Sequence, residues 1–165
     1  MDYKVIPNFL NKEKFFLLQK EVIEKVPLFY QNSMAYKSDT STFYFSTLLY
    51  DEFRKPNIPP EYFKIITPLF YHGKVQFPFH CKVNCFVKQE KHIFTEPHID
   101  TDVPHNVLLY SINSNNGYTI LDPKDKNIKV PSIANQALFF NGNIEHQAVT
   151  QTDENVRFNI NINFH

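Results

Sequence analysis

The stretch Val156-Arg157-Phe158-Asn159-Ile160-Asn161-Ile162-Asn163-Phe164 decides the fold class of this chain. Its alternation has a period of two, which is the signature of a strand and not of a helix. Phe158, Ile160, Ile162 and Phe164 form one apolar face; Arg157, Asn159, Asn161 and Asn163 form the other. A strand with one wet face normally carries Lys or Glu there. Here that face carries amides and a single arginine. Amides hydrogen-bond without adding charge, which suits a wet, semi-enclosed cavity. A solvated outer face is the competing reading on pattern alone.

Upstream, the chain from Val75 continues in short β-like runs divided by polar turns. The runs are 75–79, 81–88, 93–101, 106–112, 117–121, 127–130, 136–140 and 145–149, with 156–164 closing the series. Two connections carry strong turn chemistry, Asn115-Asn116-Gly117 and Asn141-Gly142-Asn143. Before Val75 the pattern is helical. Asn11 can cap a helix over 11–26 whose Phe15, Leu18, Val22 and Val26 recur at helical spacing before Pro27 stops it. Pro60 to Phe70 reads as a second helix, opened by Pro59-Pro60-Glu61 and closed before His72-Gly73. Between them, 29–58 reads as a packed irregular segment, with a substrate-facing cover as the alternative and Thr42–Leu49 as its candidate strand. About eight antiparallel strands behind helices describe a mainly β protein, a small sandwich or jelly roll. We expect one domain over 1–165, with 1–74 as helical support and cover and 75–165 as the core.

Seventeen basic and seventeen acidic residues cancel, so composition offers no footprint for nucleic acid. No signal-peptide pattern opens the chain, and no apolar run approaches the ~20 residues of a membrane helix. The expectation is a soluble cytoplasmic protein without a membrane partner; its oligomeric state is unreadable. Cys81 and Cys85 lack further ligands at zinc spacing and read as plain buried thiols. The wealth of Phe and Tyr, seventeen and nine residues, most simply fills a core.

His98-Ile99-Asp100 ends one β-like run, and His146 lies early in another. Residues two apart on a strand share a face, so His98 and Asp100 can address one metal and His146 can complete the set. Two histidines and one carboxylate on one side of an iron leave positions open for a cosubstrate and O2. Arg157, on the strand after the second histidine, suits a dicarboxylate cosubstrate. Two other readings stay open at this point. His98, Asp100 and His105 can form a zinc site for a hydrolase, and a β-sandwich can serve as a binding module without catalysis. His72, His80, His92 and His165 lack partners at ligand spacing, and Asp102 is either a loop acid or a support to the metal.

With these residues in view, the chain resembles the non-haem iron, 2-oxoglutarate-dependent oxygenases, most closely the small prolyl-4-hydroxylase-type branch. The likeness rests on Val5-Ile6-Pro7-Asn8-Phe9-Leu10, His98-Ile99-Asp100, Leu108-Leu109-Tyr110-Ser111-Ile112-Asn113, Asn116-Gly117-Tyr118-Thr119, Ala137-Leu138-Phe139-Phe140-Asn141, His146 and Arg157. It is similar to stand-alone proteins of bacteriophages and bacteria. The resemblance implies a double-stranded β-helix, a jelly roll with its metal at one mouth. It implies Fe(II) on His98, Asp100 and His146, with 2-oxoglutarate and O2 as cosubstrates. It also implies that Arg157 grips the distal carboxylate of 2-oxoglutarate, with Thr119 as hydroxyl partner. Ser111, which stands where many relatives place a tyrosine, and Asn159 are further candidates to bind the cosubstrate, and Asn84 is the candidate near its keto-acid end. Tyr118 replaces an acidic residue usual in the glycine turn. The implied reaction hydroxylates an aliphatic C–H bond, with a peptide prolyl residue as default and small molecules equally compatible. Succinate and CO2 are released.

Overall fold

β10 (Val156–Phe164) lies inside a seven-stranded antiparallel sheet, between β4 (Pro78–Val87) and β5 (Asn106–Ser111). The computed structural model describes residues 3–34, 38–56 and 58–165. Beyond β5 come β8 (Gln136–Asn141) and β1 (Tyr3–Ile6). Beyond β4 come β3 (Tyr44–Asp51) and the edge strand β2 (Phe29–Gln31). A three-stranded antiparallel sheet, β7 (Ile128–Ser132), β6 (Asn115–Leu121) and β9 (His146–Val149), faces it. The architecture is a jelly roll with helices in its N-terminal part. Among the described residues no helix is long and apolar enough to cross a membrane.

The two faces of β10 do different work. Phe158, Ile160 and Ile162 pack outward in one apolar cluster with Phe15, Leu18 and Val22 of α1 (Lys12–Lys25). Helical spacing gives α1 its buried stripe, and the Asn11 side chain caps it by accepting the Lys14 N–H at 2.9 Å. The opposite face is also buried: Arg157 is 2% exposed, Asn159 4% and Asn163 2%. These side chains wall a cavity, which removes the solvated-face reading. A second apolar cluster joins Val107, Leu138 and Phe140 of the large sheet to Leu121 and Val130 of the small one. It ties the small sheet over β5 and β8.

Several elements depart from the sequence expectation. The second helix divides into a 3-10 turn over Pro60–Ile66 and α2 (Thr67–Gly73), because Pro68 cannot donate into a continuous helix and starts a new one. The 75–79 run is no separate strand: Val75 closes the helix through Phe70 O, Phe77 takes a positive φ, and β4 begins at Pro78. The 93–101 run is not a full strand either. Pro97 lacks a donor, and the segment pairs with β9 through isolated bridges, Phe94 to Val149 and His98 to His146, and side-chain ties such as Ala148 N to Thr95 Oγ1. Asn115-Asn116-Gly117 lies within β6 as a bulge, with Asn115 Oδ1 accepting the Gly117 N–H at 3.0 Å. Asn141-Gly142-Asn143 does connect β8 to β9. Gly142 has no positive φ; glycine is needed because the His105 ring occupies the space of a methyl group. Cys81 and Cys85 are buried and unpaired, and burial pushes the Cys85 thiol up to about 11. Thr42–Leu49 corresponds to β3, shifted to 44–51. Residues 35–37 and 57 of the 29–58 segment lie outside the described residues.

Asn135 fastens the N-terminal arm to this frame. Its side chain accepts from Leu10 N at 2.8 Å and Tyr110 Oη at 2.7 Å, and donates to Leu10 O at 2.8 Å. Its φ of 60° is one that asparagine tolerates and alanine does not. Asn135→Ala is expected to lower unfolding free energy by about 2–4 kcal/mol, from three buried hydrogen bonds and backbone strain. Urea denaturation measures it; a loss below ~1 kcal/mol contradicts this role.

Candidate metal centre

Two backbone hydrogen bonds set the first pair of ligands. His98 N donates to His146 O at 3.0 Å and His146 N to His98 O at 2.9 Å. The exchange brings the two imidazoles to a centroid separation of 4.4 Å. Asp100 follows two residues later. Its Oδ1 lies 3.7 Å from His98 Nε2 and 3.6 Å from His146 Nε2. One ligand atom from each residue lies within 4.8 Å of the others. Ligands at right angles about a small octahedral cation stand about 3 Å apart, so slight closure would bring this set to the spacing of ligands on one ion.

The surroundings orient each ligand. His98 Nδ1 faces Glu96 O at 3.1 Å and His146 Nδ1 faces Ile144 O at 3.4 Å. An N–H at Nδ1 leaves the Nε2 lone pair for a metal. Asn161 Nδ2 donates to Asp100 Oδ2 at 3.0 Å, so Oδ1 is the oxygen turned toward the histidines. Burial alone would raise the Asp100 carboxyl; contact with His146, the Asn161 amide and His98 holds it well below the usual carboxylate range. Burial lowers His98, assisted by the neighbouring His146. Asp100 and His98 are therefore biased toward the forms that can ligate, carboxylate and neutral imidazole.

Arg157 lines the same cavity. Its Nη1 donates to Val149 O at 2.8 Å and its Nη2 to Thr119 Oγ1 at 3.2 Å, while its Nε has no partner. The guanidinium lies 5.3 Å from the centroid of the Phe86 ring. No carboxylate among the described residues pairs with it. Burial pulls its pKa down to about 10, so it remains a cation at neutral pH. A buried cation with unused donors calls for an anion. Asn84 and Asn159 lie along the same wall, joined by Asn84 Nδ2 donating to Asn159 Oδ1 at 2.9 Å. Asn84 Oδ1 is buried without a partner. Arg157 and Asn161 are four residues apart on one strand face, a span of about 13 Å that Asn159 bisects. The chamber has a cation at one end, a ligand set at the other and amides between, which fits a dicarboxylate reaching from a metal to Arg157.

His98, Asp100, His146, Arg157, Thr119, Asn84 and Asn159 all line one cavity. Ser111 does not join them. It pairs with Asn159 across β5 and β10, but its short side chain stops outside the cavity lining. Tyr110 points into the apolar cluster. His105 is not in the ligand set: its Nδ1 meets Val103 O at 2.7 Å, and its ring packs against Phe79 and Gly142. The zinc arrangement through His105 is therefore not formed. Asp102 is exposed. His80 and His92 are engaged by Asp51 and Thr150 O, and His72 and His165 pack on Phe9 and Phe79. Sequence reading missed the tie from Asn161 to Asp100. It also passed over Lys82, which alternates with Asn84 and Phe86 on β4 and so faces the cavity.

No family model and no curated protein matches the chain by sequence. Solved structures do match it in fold. One is a 2OG-Fe(II) oxygenase family oxidoreductase from Burkholderia pseudomallei, 12% identical, TM-score 0.73, with 99% of this chain and 84% of that one covered. A second is a prolyl hydroxylase from Trichoplax adhaerens, in complex with a hypoxia inducible factor oxygen degradation domain peptide. It is 14% identical with a TM-score of 0.70, over 99% and 83% of the two chains. A third is the viral collagen prolyl hydroxylase of Paramecium Bursaria Chlorella virus-1, in its 2OG complex, at 14% identity and a TM-score of 0.61, over 100% and 97%. The chain has the fold of these oxygenases.

The Asn161 amide fixes Asp100 and touches nothing else in the ligand set. Asn161→Ala is expected to weaken Mn(II) binding about 10- to 100-fold with the melting temperature of the metal-free protein little changed. Calorimetric titration measures it; unchanged affinity removes Asn161 from the site.

Proposed function

We propose that the protein is an Fe(II)- and 2-oxoglutarate-dependent oxygenase that hydroxylates an aliphatic C–H bond, with a peptide prolyl residue as the first substrate to test. The observation that carries this reading is the buried Arg157 guanidinium, unpaired with any described carboxylate, in the cavity that holds His98, Asp100 and His146. The zinc reading required His105, which lies outside the group formed by His98, Asp100 and His146. The fold shared with prolyl hydroxylases supports the same reading.

His98, Asp100 and His146 would hold Fe(II) from one side, and Arg157 would take the distal carboxylate of 2-oxoglutarate through paired N–H donors. Thr119 and Val149 O hold the guanidinium in place, and Phe86 covers its face. Asn84 and Asn159 offer hydrogen bonds to the middle of the cosubstrate without adding charge. Leu109, Phe140 and Ala148 contribute apolar lining that limits water. When bound, the iron and 2-oxoglutarate supply O2-dependent oxidation of a C–H bond, with release of succinate and CO2. The protein's own part is to bind, orient and shield.

Anaerobic addition of Fe(II) and 2-oxoglutarate to the wild-type protein is expected to give a visible charge-transfer band. In Arg157→Met the 2-oxoglutarate concentration needed for the band should rise about 100-fold or more, since a desolvated charge pair is lost. Admission of air with a prolyl peptide should then yield succinate and a product one oxygen atom heavier. Absence of the band together with tight zinc binding overturns the oxygenase reading.

A further inference from the structure

The large sheet has seven strands and the small one three, so among the described residues part of the inner face of the large sheet lies beyond the cover of the small one. On β10, β4, β3 and β2 that face is a ladder: Asn163 faces His80 and then Asp51, Asn161 faces Lys82 and then Leu48, and Asn159 faces Asn84, Ser46 and Phe29. Two adjoining hollows run across it. One, of about 350 Å³, lies beside His98 and Asp100. The other, of about 260 Å³, continues to Phe29 and Gln31 on the edge strand. They share Arg54, His80 and Lys82. Arg157 borders neither, so this groove is separate from the cosubstrate end of the cavity.

The charged groups of the groove are two carboxylates, Asp51 and Asp100, and two cations, Arg54 and Lys82, and they are not equally paired. Asp51 is engaged by His80 at 2.8 Å and by Arg54 at 3.4 Å. Its carboxyl is pushed up by burial but held below its ordinary value by the His80 hydrogen bond and the Phe53 amide. Burial lowers His80, which leaves it neutral near pH 7. His98 and Asp100 belong to the ligand set. Lys82 remains. It is half-buried, it donates to Tyr44 Oη at 3.5 Å and lies 5.7 Å from the centre of that ring, and no carboxylate among the described residues forms a salt bridge with it. The Arg54 side chain, 72% exposed and engaged with Asp51 through Nε, lies over the same groove with its other N–H donors toward solvent. Phe53, 78% exposed, offers an apolar surface beside them.

We propose, building on the oxygenase reading, that this groove takes an extended peptide whose carboxylate side chain lies one or two residues from the hydroxylated residue and is held by Lys82 and Arg54. Spacing sets the register. Lys82 sits directly across from Asn161, the residue that holds Asp100. Neighbouring strands are ~4.8 Å apart and an extended peptide rises ~3.3 Å per residue, so an anion over Lys82 is one or two residues from the metal mouth. The face from β10 to β2 covers three strand spacings, about 14 Å, the length of about four extended residues. That length and its open end at β2 favour a peptide over a free amino acid. An acidic group contributes affinity and selects register, because a neutral twin leaves Lys82 desolvated and unpaired.

The test uses fluorescence anisotropy with labelled eight-residue peptides built around one proline, carrying Asp, Asn or Lys two residues away. The wild-type protein, with Mn(II) and 2-oxoglutarate, is expected to bind the Asp peptide about tenfold more tightly than the Asn twin, with the Lys peptide weakest. About 0.5 M salt should shrink the difference. In the Lys82→Met, Arg54→Gln double variant, checked for an unchanged melting temperature, the Asp and Asn peptides should bind within about twofold of each other. Should that variant fail to fold, the Asp, Asn and Lys order in the wild type still decides. Equal binding of Asp and Asn peptides, no binding of either, or a preference that survives the double variant overturns the proposal. Displacement of the Asp peptide by N-acetyl-aspartate at equal affinity overturns the peptide and assigns the groove to small carboxylates. Absence of the wild-type charge-transfer band alongside an intact preference overturns the oxygenase reading and leaves the acidic-peptide groove standing.

Discussion

A guanidinium taken out of water without a carboxylate beside it costs several kcal/mol, and much of this structure is organised around Arg157 in that state. The strand that carries it is packed on both sides by partners in the large sheet. From there the side chain crosses to the small sheet, where Val149 O and Thr119 Oγ1 accept two of its N–H groups. Those two acceptors lie on neighbouring strands, β9 and β6, so one side chain links the inner faces of both sheets. Its position also requires glycine close by. A methyl group on Gly117 would meet Val149 O at 2.9 Å, disturbing the carbonyl that holds the guanidinium. The fold thus holds the cation but leaves its remaining donors for an anion from outside.

The ligand set at the other end is built by different means. His146 belongs to a regular strand, while His98 and Asp100 sit on an irregular segment tied to it by isolated bridges. Thr95 repeats the tie two to three residues upstream, its N–H bonded to Ala148 O and its hydroxyl accepting from Ala148 N. Pro97 stops the ladder just before the first ligand. That interruption lets the chain turn Asp100 back toward β10, where Asn161 receives it. One strand, β10, therefore positions both ends of the chamber: its arginine at one and an amide behind the carboxylate ligand at the other.

This explains which parts were legible in the sequence. The alternation from Arg157 to Phe164 carried both the sheet and its cavity face, because strand periodicity is local and the amide composition is unusual for a solvated face. The helix over 11–26 was equally plain, since cap, stripe and stop all lie within it. His98, Asp100 and His146 could be paired from spacing on short runs even though the 93–101 run is not a continuous strand. What failed was non-local. Asn115-Asn116-Gly117 has the composition of a turn, but Val149 O and Gln151 N, far along the chain, make it a tight passage within β6. Ser111 shares a face with Asn159 yet falls short of the cavity, a matter of side-chain length that register cannot reveal. The edge strands β1 and β2 are too short to show a period.

Under the proposed function, two cationic places near the candidate metal centre raise the question of how a dicarboxylate would choose between them. The dielectric surroundings decide. Two unit charges 4 Å apart interact by on the order of 4 kcal/mol at an effective dielectric constant near 20, and by about 1 kcal/mol in bulk water. Arg157, at 2% exposure, belongs to the first regime; Arg54, whose side chain is 72% exposed, belongs to the second. Lys82 is intermediate and offers a single point of charge, where Arg157 presents a planar fork already held in place. A cosubstrate carboxylate would therefore prefer the buried end, leaving the shallower cations to a weaker, exchangeable ligand. On the proposed reading, depth would divide the cavity between a tightly held small dianion and a longer substrate across the sheet face.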